Sequence, residues 1–174
     1  MEGARGYALP SGARAWAVIL ILAPLAAAAY HRVQVDDPYI TYRYARNLAE
    51  GGGFVYNAGE RVLGTTAPLH ALLLALGGRV TDDFPVLSSV ISGIALAALG
   101  LLIHRILAGF GDPLAGAIAA VLVVLNPLLG DAFGFELNLF LAFVFGAYAS
   151  HFAGRAVLAA LLLGLATLTR GDGL

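Results

Sequence analysis

Twenty consecutive residues, Phe84–Ile103, carry no charge. A helix needs roughly 20 predominantly apolar residues to cross the hydrocarbon core of a bilayer. Inside a bilayer each backbone N–H and C=O must find a partner within its own helix or a closed barrel. An apolar run without two-residue alternation meets that demand as a helix. Four further apolar runs, Trp16–Tyr30, Pro113–Leu129, Leu137–Phe152 and Ala156–Thr169, are set off by charged residues or histidine. Composition agrees, with 60% hydrophobic and 12% charged residues, where soluble domains average about 25% charged. The expected fold is all-α, a polytopic transmembrane bundle of about five spans (16–30, 84–103, 113–129, 137–152 and 156–169), the third interrupted late by Asn126-Pro127. For the first run a cleaved signal peptide is the alternative, given its basic start, short apolar core and small residues at Ala26–Ala29.

Other classes are disfavoured. A net charge of −1 gives no footing for nucleic acid. There is no cysteine, which excludes disulfides and thiol chemistry. No metal-ligand spacing, phosphate-cradling glycine loop or nucleophile elbow is present, so no metal ligand is assigned, although a divalent cation stays open as a cofactor. The chain stops at Thr169-Arg170-Gly171-Asp172-Gly173-Leu174, directly after an apolar run, which suggests the N-terminal part of a longer protein.

Between the first two long runs lies a polar stretch, and the whole of 31–83 reads as one loop. Within it the spacing predicts an amphipathic helix over Pro38–Glu50. Pro38 suits the first helical position and Asp37 the N-cap. Ile40, Tyr44 and Leu48 would form an apolar stripe, with Tyr39, Arg43, Arg46 and Glu50 on the opposite face. Gly51-Gly52-Gly53 ends that helix, and Asn57-Ala58-Gly59 reads as a turn. Ala67–Leu76 is apolar but too short to span, so it is expected to lie at the interface or re-enter.

Five spans fix a parity. The N-terminus, Arg105 and Arg155 fall on one side, and the 31–83 loop, the Asp131–Glu136 turn and Arg170–Gly173 on the other. Short basic connections favour the cytoplasm, which places the N-terminus there and the long loop outside, in a multi-pass plasma-membrane protein. The long loop's own arginines, Arg32, Arg43, Arg46, Arg61 and Arg79, count the other way.

Several residues on the loop side could carry chemistry. Asp36-Asp37 lies just past the first span, where a carboxylate could accept a proton from an attacking hydroxyl. Adjacent carboxylates beside apolar surface oppose each other's ionisation, which suits a base. The plain alternative is a cap and a solvated acid. Arg43 and Arg46 lie one turn apart, and guanidinium groups bind phosphate oxygens in a fork; the alternative is a solvated face beside lipid head groups. Glu136 opens the fourth span, where the helix dipole favours an acid in any case, yet an acid at a membrane boundary is also a site candidate. Arg170 and Asp172 follow the fifth span on the same side, where Gly171 could simply end the helix. His70, in the short apolar segment, joins the substrate-binding candidates, although a lone histidine there is more often packed.

Three stretches carry a resemblance to a known family. Asp36-Asp37-Pro-Tyr-Ile-Thr-Tyr-Arg-Tyr-Ala-Arg-Asn-Leu-Ala-Glu-Gly-Gly-Gly, followed by Phe54-Val-Tyr-Asn-Ala-Gly-Glu-Arg-Val and Gly64-Thr-Thr-Ala-Pro-Leu-His-Ala-Leu-Leu, resembles the N-terminal region of GT-C fold glycosyltransferases. It is most similar to the bacterial group that includes arabinofuranosyltransferases, with lipid A aminoarabinose transferases and protein O-mannosyltransferases as more distant relatives. Gly134-Phe-Glu-Leu-Asn-Leu-Phe looks like the family's Gly-Met-Glu-x-x-Leu-Phe, with Phe135 in place of Met. Thr169-Arg170-Gly171-Asp172-Gly173 looks like its Thr-Arg-Pro-Asp/Glu-Gly, with Gly171 in place of Pro. The resemblance implies two juxtamembrane helices in the first extracytoplasmic loop and an acidic pair at the catalytic centre, Asp36 matching the usual general base. It implies a polyprenyl-phosphate sugar as donor and a cell-envelope hydroxyl as acceptor. Family members run to several hundred residues, so the chain matches their front part. A non-catalytic scaffold or lipid-binding subunit is the alternative. A transporter fits less well, because the middles of the spans hold almost no polar residue.

Overall fold

The computed structural model describes residues 12–31, 36–60 and 62–171. Asp172, Arg5, Arg32 and Arg61 lie outside the described residues. Among the described residues there are eight α-helices and no strand: α1 Ala13–Tyr30, α2 Pro38–Ala49, α3 Pro68–Gly77, α4 Phe84–Gly109, α5 Pro113–Val124, α6 Pro127–Asp131, α7 Leu137–Phe152 and α8 Ala156–Thr169.

Helix starts follow a repeated device, an Asp or Asn followed closely by proline. The carboxylates of Asp83 and Asp112 accept from Val86 N and Ala115 N at 3.0 and 2.8 Å, and the Asn126 side-chain oxygen accepts from Leu128 N at 3.0 Å. Each satisfies an N–H that the helix cannot, and proline at the first or second position gives up no needed bond. Pro127 also breaks the expected span 113–129 into α5 and α6.

Asp37 departs from this device. Its backbone is already helical, with φ −57° and ψ −40°, and its side chain makes no cap bond. Capping needs an extended backbone that swings the side chain over the first N–H groups. Here Tyr39 N and Ile40 N instead donate to the Asp36 and Asp37 carbonyls, each at 3.1 Å. The expected cap is therefore absent, and the carboxylate of Asp37 is exposed.

α4 is the central post. Leu96 and Leu99 meet Ile19 and Ala23 of α1, Ala120 and Val124 of α5, and Phe133, in one buried cluster. Close approach is possible because Gly100 has no side chain: a Cβ there would lie 2.9 Å from Val124 Cγ2 and 3.2 Å from Ile19 Cγ2. α7 packs on α4 and α8 on α7. The contacts sort the bundle into two ends. At one, Gly12 touches His104 and the Phe110 and Phe152 rings meet at 5.4 Å. At the other, Tyr30 stacks on Phe133 at 6.1 Å, Ser88 bonds to Gly134, and Arg170 pairs with Glu136. α2 and α3 pack together at this second end, where Tyr42, Ala45, Leu74, Ala75 and Phe84 form a smaller core.

Two helices, α1 with 18 residues and α4 with 26, are long and apolar enough to cross a membrane. α5, α7 and α8, with 12, 16 and 14 residues, are apolar but shorter. The outward faces of α5 and α8 carry Leu114, Leu122, Val157 and Leu161, all more than 60% exposed, and on α1 Ile21 and Leu25 are 60% exposed. An apolar exterior of this extent, on helices that also bury apolar residues inward, fits a lipid environment.

The buried face of α2 differs from the expected stripe. Tyr42, Tyr44 and Ala45 are buried, whereas Ile40 is 40% exposed and Leu48 only half-buried. The cause is tertiary. α3 covers Tyr42 and Ala45, while the following loop folds back over Tyr44, whose ring lies 5.1 Å from Phe54 and 5.9 Å from Tyr56. Two coverings on different sides of one short helix widen its buried arc beyond any single stripe.

Candidate functional site

The second end of the bundle is built on the turn between α6 and α7. Gly134 there has φ +102°, a backbone state glycine adopts without strain. Its carbonyl accepts from Ser88 Oγ at 2.9 Å and from Tyr42 OH at 3.3 Å. Ser92 Oγ donates to the next carbonyl, that of Phe135, at 3.4 Å. Beneath the turn, Asn138 Nδ2 donates to the Leu129 carbonyl at 3.1 Å. The turn is thus held by α2, α4 and α7 together, and it delivers Glu136 at the head of α7.

Glu136 makes no side-chain cap bond. Its Oε1 accepts from Arg170 Nη1 at 3.2 Å, joining the start of α7 to the end of α8. The Glu136 side chain is 12% exposed and that of Arg170 32%. Water is partly excluded from this pair, which strengthens the attraction between the charges and also raises the cost of desolvating them. The two candidates meet each other, which limits how far either carboxylate or guanidinium is free for a ligand.

His70 is 1% exposed, and its Nε2 lies 3.2 Å from Ser88 Oγ. Because the Ser88 hydroxyl proton goes to Gly134, Ser88 accepts here, which makes Nε2 the protonated nitrogen. Burial pushes the imidazole down to about 4 from its ordinary 6.5, so His70 is neutral at pH 7. It is a buried prop for Ser88 and does not reach the surface. The Tyr42 phenol is pushed up to about 12, chiefly by burial, and Tyr39 beside it raises it further. It stays protonated as a donor.

A folded-state value below the unfolded one has a defined consequence. As pH falls through 6.5 the unfolded chain takes up a proton at position 70 before the folded chain does. Stability from His70 is complete above about pH 6.5 and drains away towards about pH 4. The melting temperature in detergent is expected to fall across that window, and less so in His70→Gln, whose amide donates to Ser88 without titrating. An equal fall in both proteins would contradict this role.

Asp36 and Asp37 are both exposed at the start of α2, about one and a half turns ahead of Tyr42. Among the described residues neither carboxylate has a hydrogen-bond or ion-pair partner. Arg46 sits with its guanidinium carbon 5.4 Å from the centre of the Phe84 ring, a cation–π arrangement that holds the charge over the head of α4 and leaves its N–H groups available. Arg43 is used differently. Its Nε donates to the Tyr56 carbonyl at 3.3 Å, beside Asn47 Nδ2, which donates to Val55 and Tyr56 carbonyls at 2.7 and 2.9 Å. Arg43 and Asn47 clamp the loop, so the two arginines do not act as one pair. That loop is further closed by Tyr44, whose hydroxyl donates to Val62 and accepts from Gly64 N, and by the Thr41 and Thr65 hydroxyls at 3.1 Å. No family model, curated protein or solved structure matches the chain.

Tyr42, Tyr44, Asn47, Ser88 and Asn138 were not singled out as candidates from sequence. A signal existed for one: Ser88, Ser89 and Ser92 are the polar positions of an otherwise apolar run. In lipid a hydroxyl turns inward or towards backbone, so serines clustered at one end of a long apolar helix mark its polar contact. Among the described residues no group of three or more His, Asp or Glu could hold a metal ion.

Proposed function

We propose that this chain is a membrane glycosyltransferase of the GT-C kind, moving a sugar from a polyprenyl-phosphate donor to a hydroxyl of a cell-envelope acceptor. One observation carries the reading. The separate stretches that resemble the family are bonded to one another at one end of the bundle. Tyr42 of the first bonds to Gly134 of the second, His70 reaches the same carbonyl through Ser88, and Glu136 of the second pairs with Arg170 of the third. Motif positions more than ninety residues apart converge as parts of one site would.

In this reading α1, α4, α5 with α6, α7 and α8 cross the plasma membrane, with the N-terminus in the cytoplasm and the α2–α3 end outside. α7 and α8 measure roughly 24 and 21 Å at 1.5 Å per residue, and local thinning of the bilayer accommodates that shortfall. Asp36 takes the proton of the acceptor hydroxyl as its oxygen bonds to the sugar's anomeric carbon. The carbon–oxygen bond to the carrier breaks, and its electron pair leaves on the lipid phosphate. Arg46, which has N–H groups to offer, offsets that charge. The Glu136–Arg170 pair fixes the wall against which the sugar lies, with Asp172 following it in sequence. Arg43 and His70 act by holding the loop and the turn. Asp37 stands ready as a second acceptor of hydrogen bonds.

The test is transfer of radiolabel from polyprenyl-phosphate sugars to endogenous acceptor in membranes containing the protein. Label moving into acceptor only when the protein is present supports the reading. No transfer from any such donor, with the protein inserted and folded, supports the scaffold alternative.

A further inference from the structure

The opposite end of the bundle holds a second feature. A cavity of about 380 Å³ opens between α4, α7 and α8. Its walls include Leu102, Ile106, Phe152 and Leu162, and Arg105 and Arg155 line it as well. Both arginines are exposed, and among the described residues neither forms an ion pair. The nearby acid Asp112 is spent on capping α5.

We infer that this cavity binds an anionic phospholipid, with its phosphate between Arg105 and Arg155 and part of an acyl chain against the apolar walls. Charge complementarity chooses the occupant. Two guanidinium groups, one on α4 and one in the turn between α7 and α8, lacking an acid, meet an apolar slot on the flank of a bundle whose outer faces suit lipid. Guanidinium groups bind phosphate oxygens through paired, charge-assisted hydrogen bonds. Basic pockets between membrane helices take lipid head groups of this kind. A volume of this size is within the range of small-molecule sites, about 300–1,000 Å³. Gly109 helps to shape the slot, and a Cβ added there would meet nothing within 4 Å. The inference depends on the chain's lying in lipid and is independent of sugar transfer.

Native mass spectrometry of the detergent-purified protein tests it, with phosphatidylglycerol, phosphatidylcholine and inorganic phosphate as separate probes. The expected result is one retained phosphatidylglycerol, no comparable retention of phosphatidylcholine, and no displacement by inorganic phosphate. Arg105→Ala with Arg155→Ala is expected to weaken retention at least about tenfold, since each charged hydrogen bond is worth about that factor. Gly109→Leu fills the slot without touching either charge and is expected to do the same. Both variants alter exposed or open positions, so folding is preserved, and an unchanged melting temperature without lipid checks this. Equal retention of the two phospholipids, or undiminished phosphatidylglycerol on both variants, would overturn the site. Displacement by inorganic phosphate would show an anion site without a lipid slot and overturn it too.

Discussion

Asp36→Asn is expected to lower sugar transfer by about 10²–10⁴-fold, the range for loss of a positioned general base, while membrane insertion stays at the wild-type level. The substitution keeps the shape of the side chain and removes its ability to take a proton. At position 36 that is nearly all it changes, because the carboxylate is exposed and has no partner among the described residues. The attacking hydroxyl would then have to lose its proton to water as the new bond forms, at a much higher barrier. Asp37→Asn is expected to have a smaller effect. Its side chain neither caps α2 nor pairs, so it too can be changed without disturbing the helix. Transfer unchanged by Asp36→Asn would remove Asp36 from the chemistry.

Phe133→Ala is expected to destabilise the fold by about 3–5 kcal/mol, the usual cost of emptying a buried aromatic position. Phe133 is fully buried, stacks on Tyr30 at 6.1 Å, and joins the cluster formed by Leu96, Leu99 and Val124. Lipid tails weaken the purely hydrophobic part of that loss. The cavity term remains, since the surrounding helices cannot close around a missing ring without moving. Phe133 also anchors the turn that presents Gly134 and Glu136, so transfer should fall along with stability. A thermal denaturation series in detergent, read beside the transfer assay, checks both. A melting temperature within a degree of wild type would show that the turn is held by its hydrogen bonds alone.

The helices were legible in the sequence because their signals are local. Apolar runs end at charges, and α7 and α8 fall on the expected residues. Span length was less legible: the interruption at Asn126-Pro127 could be read, but not that it ends α5 after 12 residues and starts a separate short helix. The stripe on α2 was misread because periodicity assumes one covering surface, and Tyr44 is covered by a loop. The Asp37 cap failed because capping depends on a backbone angle that composition does not reveal. Alternation of runs could bring Glu136 and Arg170 to one end, but their bond joins residues on different helices, and only packing of α7 on α8 creates it. His70 was visible as a lone histidine in an apolar segment. Its bond to Ser88 requires knowing that α3 lies against the head of α4.

The geometry of the site depends on which residues share a side of the membrane. Native cysteine is absent, so single cysteines can be introduced one at a time and probed with a membrane-impermeant maleimide. Positions 36, 57, 79 and 131 are exposed at or beside the α2–α3 end, and positions 151 and 155 are exposed at the other. The account predicts that the first four label from one face of sealed membranes and the last two only from the opposite face. Labelling of 57 and 79 from opposite faces would mean that α3 crosses the bilayer, and labelling of 36 and 131 from opposite faces would separate the acid pair from the Glu136 turn. Either result would contradict a single active site at that end.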